Sequence, residues 1–193
     1  LAAALGVLAL FAAPAMGQAT IATTSHNFTG ATWGDASICG ACHTPHNSAI
    51  TGAPLWSHIA TGHTFTPYNT VAGTTVGQPD GNSALCLGCH DGVTALNSFT
   101  NNTYGGADVS MATATENYTV GDFNQDLQND HPVSITMPAN AFYNTGAAVD
   151  ALLDSGSKVQ CASCHDPHGV TGVDKLLRMS NAGSALCITC HNK

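Results

Sequence analysis

Hydrophobic positions are spread very unevenly along this chain. Leu1 to Met16 is an almost unbroken apolar run of Leu, Ala, Val and Phe. It is short for a membrane span and reads as the apolar core of a secretory signal. Ala13-Pro14-Ala15 and Gly17-Gln18-Ala19 are both small-x-small cleavage candidates. Residues 1–19 are therefore expected to be a signal-like segment. If retained, the segment packs between subunits or contacts a membrane. Beyond it the apolar residues keep no long period. Thr100 to Thr119, rich in Asn, Thr, Gly and Ala, follows neither a helical nor a strand pattern. Three short stretches predict helices: Ser83 to Cys89, Gly146 to Asp154 and Ser184 to Cys190. In the first and last, a serine precedes an Ala-Leu-Cys step, which suits a helix start. The expected fold is mostly coil with a few short helices and little or no β-sheet.

The polar pattern is dominated by one motif. Cys-x-x-Cys-His occurs four times, as Cys39–His43, Cys86–His90, Cys161–His165 and Cys187–His191, and uses all eight cysteines. This is the attachment pattern of c-type haem. Each pair, Cys39 and Cys42, Cys86 and Cys89, Cys161 and Cys164, Cys187 and Cys190, would add its thiols across two porphyrin vinyl groups. The following histidine, His43, His90, His165 or His191, would then be the proximal iron ligand. Zinc and disulfides are the rival readings of paired cysteines. Neither explains a histidine after every pair.

Four haem c groups change how the composition is read. Charged residues are 8% of the chain, against about 25% in an ordinary soluble domain. Aromatic residues are 6%, thin for a core made of protein alone. Large apolar porphyrins would supply much of that core, with the polypeptide wrapped around them. The formal charge of −8 with only 4 Lys plus Arg argues against nucleic acid or an anionic membrane surface as partner.

The sequence is also duplicated. Cys42-His43-Thr44-Pro45-His46 matches Cys164-His165-Asp166-Pro167-His168, and Ser83-Ala84-Leu85-Cys86 matches Ser184-Ala185-Leu186-Cys187. Two dihaem units are expected, 20–95 and 131–193, joined by a linker, 96–130, without cysteine. Of the six remaining histidines, the duplication selects His26, His46, His131 and His168 as distal iron ligands, with His58 in reserve and His63 last. Met16, Met111, Met137 and Met179 occupy no repeated place and are not assigned as ligands. Paired axial histidines close the iron to substrate and favour low potentials. Such a chain carries electrons and is not expected to be an enzyme. Asn27, Asn101 and Asn117 begin glycosylation sequons, which arise readily by chance in an Asn/Thr-rich chain.

These motifs, with Pro54-Leu55-Trp56, Cys89-His90-Asp91-Gly92 and Asp130-His131-Pro132-Val133, resemble the multihaem c-type cytochromes of metal-reducing and anaerobic prokaryotes. The resemblance is strongest to the OmcE-like tetrahaem outer-surface cytochromes and covers about residues 24–193. It implies an exported, extracellular or cell-surface subunit that polymerises with copies of itself into a filament with a continuous haem chain. Such a filament exchanges electrons with other redox cytochromes or extracellular acceptors. It also implies that one iron takes its distal histidine from a neighbouring subunit, with His26 or His58 as expected donor. A soluble periplasmic shuttle and a small multihaem reductase remain as alternatives, the latter requiring one open iron position.

Overall fold

A computed structural model describes residues 21–31, 37–51, 53–100, 126–154 and 157–192. The apolar start, most of the linker, Asn101, Asn117, Met16 and Met111 lie outside the described residues. The described backbone is mostly irregular. Its α-helices are α1 (Gly81–His90), α2 (Ala147–Asp150), α3 (Cys161–Cys164) and α4 (Ala185–Cys190). The β structure amounts to two-residue strands. β1 (Thr66–Pro67) pairs in parallel with β4 (Asp126–Leu127). β2 (Thr70–Val71) and β3 (Thr74–Thr75) pair antiparallel, as do β5 (Ile135–Thr136) and β6 (Lys158–Val159). Among the described residues no helix is long and apolar enough to cross a membrane.

Local chemistry accounts for these pieces. Ala72 and Gly73 both take positive φ between β2 and β3, the geometry of a two-residue hairpin turn. The predicted helix at Gly146 to Asp154 forms as α2 and relaxes into turns after Asp150. The one predicted at Ser184 to Cys190 is α4. Its N-terminal flank is Ser184, which makes no side-chain cap bond. Asn181 serves instead, its Oδ1 accepting from the Leu186 N–H at 3.1 Å. Asn27 likewise caps a short 3-10 helix at Phe28–Gly30, accepting from the Thr29 N–H.

The third predicted helix needs a correction. α1 begins two residues earlier than Ser83, at Gly81, and Ser83 is not its cap. Asp80 flanks the helix without a side-chain cap bond. The Ser83 N–H, one of the first-turn donors that a helix leaves without an internal acceptor, points at Gln160 Oε1 from 77 residues away. That acceptor is invisible to a local reading.

Apolar packing is sparse. Phe65, Leu87 and Leu127 form a buried cluster, and α1 packs on α3. Two deeply buried polar side chains lie at that same junction, Ser83 at 0% and Gln160 at 1%.

Candidate haem sites

Three of the four motif histidines are held by the same backbone device. His43 bridges to Trp56, His165 to Leu177 and His191 to Tyr143. In each case the second motif cysteine offers its carbonyl to an N–H one residue beyond the bridge: Ser57 to Cys42 (2.9 Å), Arg178 to Cys164 (2.9 Å) and Asn144 to Cys190 (2.8 Å). The residue after the histidine donates back: Thr44 to Leu55 (2.8 Å), Asp166 to Leu176 (2.7 Å) and Asn192 to Phe142 (2.8 Å). The sequence signal for this clamp is an apolar doublet, Leu55-Trp56, Leu176-Leu177 or Phe142-Tyr143. Reading motif by motif missed it, because the doublet lies at a different separation in each case. Leu55 and Leu176 both adopt left-handed φ, 52° and 55°, an uncommon state for branched side chains. The clamp therefore repeats in detail between the two halves. His90 differs: it ends α1, and the buried Asp91 behind it accepts from Val93 N–H, Thr94 N–H and the Thr61 hydroxyl.

The clamp also fixes the imidazole tautomer. His43 Nδ1–H donates to the Pro54 carbonyl (2.7 Å) and His165 Nδ1–H to Lys175 (3.1 Å). Among the distal candidates, His131 Nδ1–H donates to Pro132 (3.0 Å) and His26 Nδ1–H to Pro167 (3.3 Å). A histidine bonded this way presents Nε2 to a metal.

The structure brings three distal candidates opposite motif histidines. Ring centres are 6.0 Å apart for His26 and His90, 6.2 Å for His43 and His168, and 6.2 Å for His131 and His191. Two imidazoles bound through Nε2 to one metal, at bonds of about 2 Å, place their ring centres about 6 Å apart. The His43–His168 pair joins the two halves of the chain. His26, enclosed among His90, His168 and His165, has its pKa lowered by burial first and then by those neighbours. Such lowering keeps the imidazole neutral, the form that ligates. His46 and His165 are exposed.

His58 lies elsewhere in chemical terms. It is 1% exposed, with Nδ1 against the Ile59 carbonyl (2.9 Å) and Nε2 against the Ala95 carbonyl (3.1 Å). Both ring nitrogens lie within hydrogen-bond distance of carbonyls of its own fold, and no motif histidine ring is paired with it among the described contacts. His63 is exposed.

None of the eight cysteines, all within the described residues, is in a disulfide. Burial pushes Cys42 up to about 11 and moves Cys89, Cys164 and Cys190 upward as well. No group of three or more His, Cys, Asp or Glu gathers as an ion site among the described residues. The Cys161 N–H donates to Ser83 Oγ at 3.0 Å where α1 packs on α3. The second and third motifs therefore touch.

The surroundings suit a large apolar group. Leu55 (54% exposed), Phe142 (74%) and Ile188 (52%) leave apolar surface open, each within a clamp or a motif. A cleft of about 440 Å³ adjoins Cys39 and His43 and is walled in part by Leu55 and Phe99. The donor set, the tautomers, the ring spacing and the apolar surface all fit haem.

The family described as the doubled CXXCH motif matches residues 155–193, which hold the third and fourth motifs. The match supports a multihaem c-type cytochrome. It also agrees with covalent haem attachment and with electron transfer as the chemistry of this chain. No curated protein matches the sequence.

Proposed function

We propose that this chain is an exported tetrahaem cytochrome that carries electrons through closely spaced bis-histidine haems, as the repeating subunit of an extracellular filament. The observation that carries the reading is the set of opposed histidine rings, each pairing one motif histidine with one distal candidate at about 6 Å. The assignment is His43 with His168, His90 with His26, and His191 with His131. Haem supplies a reversible one-electron iron couple when bound. In each pair the backbone fixes the tautomer of one imidazole through Nδ1, that of His43, His26 or His131, which limits rearrangement when the charge changes. Two dihaem units, 20–95 and 131–193, interlock because His168 of the second serves His43 of the first.

The filament reading rests on the resemblance to OmcE-like cytochromes and on the ligand count. Three pairs use His26, His131 and His168. His165 is the motif histidine outside those pairs, and it is exposed. A histidine of a neighbouring copy completes its iron, as the resemblance implies.

The test is electron microscopy of the native red fraction sheared from cells, with its absorption spectrum. Long filaments of a single subunit with a wholly low-spin spectrum are expected. Small low-spin particles would make the chain a diffusible shuttle. A high-spin ferric component in intact filaments would reveal an open iron and favour a reductase.

A further inference from the structure

The contact between the second and third motifs is made by a buried polar bolt. Gln160 immediately precedes Cys161, and Ser83 lies one helical turn before Cys86 on α1. Gln160 Oε1 accepts from the Ser83 hydroxyl, the Ser83 N–H (3.3 Å) and the Ser134 hydroxyl (3.1 Å). Gln160 Nε2 donates to Asp80 Oδ1 at 2.9 Å. In return the Cys161 N–H donates to Ser83 Oγ at 3.0 Å. Gly81 admits the amide: a Cβ there would meet Gln160 Nε2 at 3.0 Å, on a backbone with φ of +49°. Gln160 thus serves both helices. It caps α1 from across the fold, and its own N–H bonds the Ser163 hydroxyl at the start of α3 (2.9 Å).

Polar groups buried this deeply hold a defined geometry when every partner is satisfied. Apolar contact here is limited, so the bolt sets how α1 and α3 meet. Those are the elements that bear Cys86 and Cys161. We infer that Ser83 and Gln160 are positioning residues that fix the spacing of the two central haem sites, Cys86–His90 and Cys161–His165, and thereby the electron step between the halves of the chain. The inference rests on haem occupying both motifs. It adds to that reading two residues outside the attachment motifs. The duplication does not announce them, since Ile38 stands ahead of the first motif where Gln160 stands ahead of the third.

The test uses full-length, haem-loaded protein. Haem content and the masses of the peptides carrying Cys86–His90 and Cys161–His165 are measured first. Absence of haem from either peptide overturns the haem reading itself, and is told apart from failure of the inference by those masses. Gln160→Met keeps the volume and removes the hydrogen bonds, and Ser83→Ala breaks the bolt from the other side. Each is expected to retain its haem, alter the Soret exciton couplet in circular dichroism and slow intramolecular electron equilibration severalfold after pulsed reduction. The double variant should go no further than either single one. A loaded Gln160→Met or Ser83→Ala with unchanged couplet and unchanged rate would overturn the inference, even with a lower melting temperature. Ser83→Ala carries the test where Gln160→Met fails to load.

Discussion

Gly88→Ala is a substitution whose sign the sequence and the structure predict differently. Gly88 lies inside α1, between the two cysteines of the second motif. Helix propensity alone favours alanine there by about 1 kcal/mol. In the folded chain a Cβ at this position would stand 2.6 Å from the Ile59 carbonyl oxygen and 3.2 Å from His58 Nδ1. The first distance is shorter than real side chains tolerate, and the obstacle is backbone. It cannot yield cheaply, because Ile59 N–H is bonded to Ser98 and the Ile59 carbonyl accepts from His58, itself 1% exposed. Overpacking of this kind costs about 1–3 kcal/mol, and losing the His58–Ile59 bond adds about 1 kcal/mol. After subtracting the helical gain, the variant should be less stable by about 1–3 kcal/mol. For a chain of this size that lowers the melting temperature by roughly 2–10 °C. Thermal melts of the haem-loaded proteins, followed by far-ultraviolet circular dichroism, measure it. Gly62→Ala is the control, because its Cβ would meet nothing within 4 Å, and it should change stability by less than about 0.5 kcal/mol. A Gly88→Ala variant as stable as the parent would refute the argument, since it would mean that α1 does not lie against residues 58 and 59 as described.

Other predictions address the ligands and the charges. On the proposed pairing, His168→Ala and His26→Ala should each convert one haem to a high-spin ferric form in absorption and electron paramagnetic resonance spectra. A fully low-spin spectrum in either would reject that pairing. His58→Phe should leave every haem low-spin yet lower stability by about 1–2 kcal/mol in denaturant titrations, from the loss of the single hydrogen bond its ring N–H makes to the Ile59 carbonyl. Appearance of a high-spin component would return His58 to the ligand set. Asp80 has its pKa lowered, because hydrogen bonds from Lys158, Gln160 and Ser134 outweigh a burial effect that pushes it upward. Its contribution to stability is therefore complete above the unfolded value of 3.8 and is lost as pH falls through the lower folded value. The Asp80–Lys158 pair is solvent-screened, with side chains 48% and 33% exposed, so the effect should stay under about 1 kcal/mol. Comparing Asp80→Asn with the parent between pH 5 and 2.5 tests this: the two stabilities should converge towards the acid end, and a gap that widens there would contradict the sign.

Haem chemistry is legible in the sequence because covalent attachment is a local matter. Two thiols and an imidazole must be neighbours along the chain, so Cys-x-x-Cys-His declares itself at each of its four occurrences. The duplication was legible for the same reason, and it led to His26, His131 and His168, which the fold sets opposite motif histidines. Short helices at the Ala-Leu-Cys steps were also readable, since each needs only one or two turns of local bonding.

What the tertiary structure decided is everything that depends on which segments meet. Which rings face each other is decided by distance through space, so the placing of His43 opposite His168 has no signature in spacing. The burial of His58, with both ring nitrogens near carbonyls, is likewise absent from its position in the sequence. Ser83 and Ser184 occupy matching sequence positions yet differ in role, because Gln160 stands beside the first alone. The clamps at Trp56, Leu177 and Tyr143 follow the same rule. Backbone hydrogen bonds between remote strands carry no residue code beyond an apolar doublet, and only the folded chain shows which doublet holds which histidine.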